Sequence, residues 1–164
     1  MKLDSFDKLY LHELKDLYNA ENQLLKALPK MAKKATSPAL RKAIEAHIIE
    51  TKQQVGRLDQ IFEGLGVPAR GKKCEAMAGL IEEAKSFMEE DALPEIMDAG
   101  IIASAQRAEH YEIAAYGSAR TFARLLGRNE DAELLQQTLD EEGKADKKLT
   151  AIAESVVNPA ALRT

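Results

Sequence analysis

Apolar residues recur along this chain in alternating steps of four and three, the period of a helix that buries one face. The first such stripe runs Tyr10, Leu14, Leu17, Glu21, Leu24, Leu28, Met31 and is apolar except at Glu21. Ser5 is placed to cap it, with Lys8 standing where a capping box would carry Glu. Pro29 falls inside the stripe and predicts a bend in its last turn or two. Thr36-Ser37-Pro38 ends the first helix and opens the second, with Ser37 as cap and Pro38 in the first turn. The second stripe reads Leu40, Ile44, His47, Thr51, Gln54, Leu58, Ile61, apolar at both ends and polar in the middle. Gly64-Leu65-Gly66-Val67-Pro68 closes it.

A basic loop, Pro68 to Lys73, leads into a shorter amphipathic pattern outlined by Cys74, Met77, Ala78, Ile81, Ala84 and Met88. Asp91 to Pro94 marks the start of a third long helix. Its stripe is Ile102, Ala105, Glu109, Glu112, Tyr116, Ala119, Ala123, Leu126, and it ends at Gly127. Asn129 is placed to cap a fourth, with the stripe Ala132, Leu135, Leu139, Glu142, Asp146, Leu149, Ala153, Val156 and a stop at Asn158-Pro159. Four long helices, tight turns within each pair and a helical crossover between the pairs predict an all-α four-helix bundle, as one domain over residues 1–164.

Composition narrows the class. Hydrophobic residues make up 45% and charged residues 30%, the balance of a soluble globular protein. A net charge of −4 and termini without a basic tail argue against direct nucleic-acid binding. A single cysteine, Cys74, fits a reducing compartment, and it reads as a small buried apolar residue. No apolar run approaches the ~20 residues of a membrane span, and Met1 to Asp7 lacks a signal-peptide layout. The expectation is a cytoplasmic protein.

The chemistry lies in the middle of the stripes. Glu21 stands about four turns before the first tight turn, and His47 and Glu50 about three turns after it. Glu112 and Glu142 stand about four turns either side of the second. Glu21, His47, Glu50, Glu109, Glu112, Glu142 and Asp146 are therefore expected at one level of the bundle. Carboxylates turned into a helical core cost several kcal/mol each unless compensated, and no Lys or Arg occupies the stripes. Arg107 and Lys144 flank the acidic positions but point outward, and Glu141 reads as surface. Many oxygen ligands with one nitrogen suit iron or manganese. Magnesium would keep more water, and zinc would take more nitrogen or sulfur. Two divalent ions would balance four carboxylates. Each piece also has a plain structural reading: His47 as a hydrogen-bonded core residue, Glu109 and Glu112 as a solvated face, Asp146 as surface, and Tyr10, Tyr18, Tyr111 and Tyr116 as packing. Tyr18 and Tyr111 are also candidates to hydrogen-bond a ligand carboxylate.

Several segments carry a resemblance. They are Leu-Tyr-Asn-Ala-Glu21-Asn-Gln-Leu, His47-x-x-Glu50-Thr51, the Lys73 to Leu80 stretch, Glu109-His-Tyr-Glu112-Ile-Ala, and Glu141-Glu142 followed by Ala145-Asp146. The sequence resembles the YciF-type stress proteins, a ferritin-like family. The resemblance implies a ferritin-like bundle, a homodimer, a di-iron-type centre, and expression in bacterial stress. One departure stands out. Ferritin-like sites present Glu-x-x-His from two helices. Here the second helix has His47-x-x-Glu50, and the fourth has Ala145 where a His would fall. Two function classes follow. One is a stress protein with two iron or manganese ions that handles peroxide or oxygen, as an oxidase or peroxidase. The other is a structural or interaction bundle in which metal is only a staple or is absent. Storage in a shell fits less well, because no clear extra C-terminal helix offers cage contacts.

Overall fold

The computed structural model describes residues 2–70 and 72–164 and is all-helical. Helix α1 spans Phe6–Lys34, α2 Pro38–Leu65, α3 Glu75–Met88, α4 Pro94–Leu125 and α5 Asn129–Ile152. A π-helical turn, Ala153–Val157, joins α5 to a last turn, α6, Asn158–Ala161. Of the predicted basic loop, Gly71 lies outside the described residues, as does Met1 of the N-terminal stretch.

The ends of the first two helices follow their local chemistry. The Ser5 hydroxyl accepts the Lys8 N–H at 3.2 Å, so the cap forms without a glutamate partner. Helix α1 continues through Pro29. Ser37 accepts the Leu40 N–H, with Pro38 first in α2, and Gly66 ends that helix at φ +65°, a left-handed conformation costly for any residue with a Cβ. Asp98 of α4 grips the α1–α2 turn. Its carboxylate accepts the Thr36 N–H at 2.8 Å, the Thr36 hydroxyl at 2.6 Å and the Ser37 N–H at 2.7 Å.

The last third of the chain departs from its pattern twice. Asn129 does not cap α5; it is the first helical residue, after Arg128, and no side chain caps the end. The turn closes instead through the backbone, with Gly127 at φ +71° and the Arg128 N–H returned to the Ala123 carbonyl at 2.9 Å. Asp131 supplies the negative charge that the helix start favours, held by Tyr10 and Arg128. At the other end, Asn158-Pro159 does not stop the helix. The π turn inserts one residue per turn, the Asn158 N–H reaches back to the Ala153 carbonyl, and Pro159 follows as an early residue of α6. The extra residue rotates the inward face, so Val157 is buried and Val156 is exposed.

Among the long helices, α1 packs on α2 and α4, and α5 packs on α2 and α4. Helix α3 lies across α1 and α4, with the Phe87 ring set so close over Gly100 that a Cβ there would collide with it. The buried apolar residues fall into two separate clusters. One is built around Leu24, Leu28, Met31, Ile44, Ile101 and Leu149. The other gathers Leu14, Leu17, Leu58, Ile61, Tyr116 and Leu135. Each such side chain contributes about 1.5–3 kcal/mol on burial. What separates the clusters is a layer of buried polar groups.

Candidate metal centre

That layer is made by residues the apolar stripes carry into the core. Leu17 and Leu24 bury their faces of α1, and Glu21 between them is 0% exposed. Ile44 and Leu58 do the same for His47, Thr51 and Gln54 on α2. Glu109 and Glu112, three apart, share one face of α4, and α5 buries Glu142 between Leu135 and Leu149. Each helix has enough apolar surface on either side to force these groups inside.

His47, Glu109, Glu112 and Glu142 each offer a donor atom, and these atoms all lie within 4.8 Å of one another. His47 Nε2 is 3.2 Å from a Glu109 oxygen and 3.8 Å from one of Glu142. Its other nitrogen, Nδ1, is 3.3 Å from Glu50. Glu21 sits beside this group. Its Oε1 accepts the Tyr116 hydroxyl, and its carboxyl interacts with that of Glu112. Gln54 donates its amide to Glu142.

Five carboxylate oxygens in this layer have neither solvent nor a hydrogen-bond partner: one each on Glu21, Glu109 and Glu142, and both on Glu112. Among the described residues, no Lys or Arg forms an ion pair with these four groups; the nearby ionic partner is His47. Burial, reinforced by the charge of Glu142, pushes the Glu21 carboxyl up to about 8. Burial likewise drives Glu109 and Glu112 well above the usual carboxylate range, with their acidic neighbours adding to the shift. A protein that keeps such groups together needs protons or cations among them. Clustered oxygens with one imidazole nitrogen are the donor set of a hard or borderline divalent ion, so the residues present fit the metals inferred from the sequence.

Two of the seven expected residues stand apart from the layer. Glu50 is half exposed, and the hydrogen bond from His47 holds its carboxyl below the usual range. Asp146 lies at the edge, accepting the Gln106 amide at 3.0 Å and paired with exposed His110 at 3.2 Å.

Other side chains take roles the sequence reading did not assign. Tyr116, read as packing, is the tyrosine on a candidate ligand; its place four residues after Glu112 on the same face was the available signal. Tyr111 bonds Asp16 and Cys74 instead. Buried Cys74 sits at the N-cap of α3, its sulfur accepting the Met77 N–H at 3.4 Å. Gln54, seven residues after His47, completes the polar stretch of α2. Glu141 is not simple surface: Arg57 grips both its oxygens, at 2.6 and 2.7 Å, and donates to Thr138. A guanidinium close to the layer is thereby spent on a carboxylate outside it.

Comparisons with known proteins agree over the whole chain. Protein YciF of Escherichia coli strain K12 is 43% identical over 159 residues, covering 96% of each chain. The crystal structure of YciF, described as a stress protein, superposes with a TM-score of 0.91 over 95% of this chain and 99% of that one. YcfI from Rhodopseudomonas palustris, described as a candidate structural protein, is 42% identical with a TM-score of 0.88, over 92% and 97% of the two chains. A family model described as a domain of unknown function, DUF892, matches residues 5–162, and the chain belongs to that family.

Proposed function

We propose that the chain is a single ferritin-like domain, a four-helix bundle with α3 in its crossover, that holds two divalent iron or manganese ions and serves as a cytoplasmic stress protein. The observation that carries this reading is the set of five buried, unpartnered carboxylate oxygens with His47 among them. Glu109, Glu112 and Glu142 would supply oxygen ligands, with Glu21 beside Glu112. His47, oriented through Glu50, would be a nitrogen ligand. Tyr116 would orient Glu21 and Gln54 would orient Glu142.

Bound ions would supply electron exchange with a small oxidant such as peroxide or oxygen. The chain's own residues hold charge, fix orientation and keep water out. The stress role follows from the likeness to YciF, and homodimerisation is part of the same proposal. The test is elemental analysis of the purified protein and of Glu112→Ala. Iron or manganese near two per chain in the wild type, lost by at least tenfold in the variant with helicity kept, supports the reading. Metal-free protein that takes up neither ion overturns it.

The description of YcfI favours a second reading, a structural bundle in which metal is a staple or is absent. A chelator distinguishes the two classes of metal-free and metal-holding scaffold: a structural bundle without metal keeps its melting temperature in chelator, whereas a metal-holding core loses stability.

A further inference from the structure

A groove of about 560 Å³ runs between α1, α3 and α4. Leu24, Leu28 and Met31 form one wall, and Ile81, Ala84 and Met88 the other. Helix α3, packed across α1 and α4, forms one side of it. The volume lies in the range of small-molecule sites, roughly 300–1,000 Å³.

The rim and the floor carry opposite charge. Lys26, Lys30 and Lys34 follow one another at four-residue steps along α1, on one face, and Lys85 stands on α3. Glu89 is the one acidic side chain at that rim, so four cations face one anion. Among the described residues, Lys26, Lys30 and Lys34 form no ion pair, while Lys85 meets Glu82 at 3.6 Å. At the floor stands Glu109, 3% exposed, with an oxygen that has no partner.

We propose that this groove binds one monoanionic amphiphile, a medium-chain carboxylate, with its tail along the leucine and methionine walls and its head on the α1 lysines. A bare anion would leave the walls wetted, and a neutral alkane would leave the lysine row unanswered. A soluble amphiphile meets both demands. The tail would end beside Glu109, next to the polar layer; in making the groove an approach to that layer, the inference rests on the metal reading above.

The test is calorimetric titration of the full chain with sodium dodecanoate, below its micelle concentration. Dodecyltrimethylammonium serves as the tail with the wrong head, and acetate as the head alone. One saturating site for dodecanoate, at least tenfold tighter than the ammonium and absent for acetate, is expected. Lys30→Glu with Lys34→Glu, both exposed and away from the packed core, should reverse the preference between the two heads. Ala27→Phe, at a half-buried position on the groove, should weaken dodecanoate at least tenfold with the melting curve retained. Absence of saturation, or binding indifferent to the lysine reversal, overturns the proposal. So does a dimer that Ala27→Phe dissociates while the wild type shows no dodecanoate heat, since the groove then belongs to a second copy. Repeating the titration on Glu112→Ala separates the two readings. Binding retained there sustains the groove even where the protein proves metal-free, and metal uptake without dodecanoate binding overturns the groove alone.

Discussion

Replacing Glu21 by Gln should stabilise the metal-free protein while weakening the metal binding proposed above. Glu21 is fully buried, and its carboxyl is pushed from an ordinary 4.5 to about 8. Its folded-state value is raised, so the stability it permits is complete below pH ~4.5 and is lost as pH climbs toward 8. At neutrality the loss is about 3 kcal/mol, taken as ~1.4 kcal/mol for each pH unit above the ordinary value. Gln avoids that loss. Its carbonyl still accepts the Tyr116 hydroxyl, and its amide can donate to Glu112 where the wild type sets one carboxyl against another. For a chain of this size ~3 kcal/mol corresponds to roughly 6–12 °C in Tm. The assay is thermal unfolding by circular dichroism of chelator-treated protein at pH 5, 6, 7 and 8. The gain of Glu21→Gln over wild type should be near zero at pH 5 and grow through pH 8. Adding Mn(II) should reverse the order, because the wild type alone keeps the full ligand set. A variant less stable than wild type at pH 8 without metal, or a gain that does not grow with pH, would refute the reasoning.

Two further outcomes probe the groups around the layer. Tyr116→Phe removes the hydroxyl on Glu21 and should lower metal affinity about 10–100-fold with helix content unchanged, as measured by competition with a chelating dye. Asp98→Ala leaves the Thr36 and Ser37 donors of the α1–α2 turn without their acceptor and should cost about 2–4 kcal/mol in urea unfolding.

The stripes of α1 and α2 were legible because they are long and strictly periodic. Every position expected inside them, from Tyr10 to Met31 and from Leu40 to Ile61, is buried. Equal counting from two tight turns also placed Glu21, His47, Glu112 and Glu142 at one level, since helical rise is constant. Counting fails where the helix changes type. The π turn at Ala153–Val157 adds a residue that no local signal marked, and so exchanged Val157 for Val156. It fails also at the Gly127 turn, where backbone closure replaced the side-chain cap expected of Asn129.

The order and length of the helices, their inward faces and the acidic middle of the core are written in the chain itself, because periodicity is a property of one helix at a time. Which of seven candidate residues face one another was decided only in three dimensions. Glu50 and Asp146 share the sequence level of the others, but Glu50 turns toward water and Asp146 toward Gln106 and His110, and Tyr116 and Gln54 reach the carboxylates across from neighbouring helices. Rotation of each helix about its axis sets those meetings. That rotation is fixed by packing between helices, as is the seat of α3 beside the groove, and packing leaves no trace in the spacing of residues along one stretch of chain.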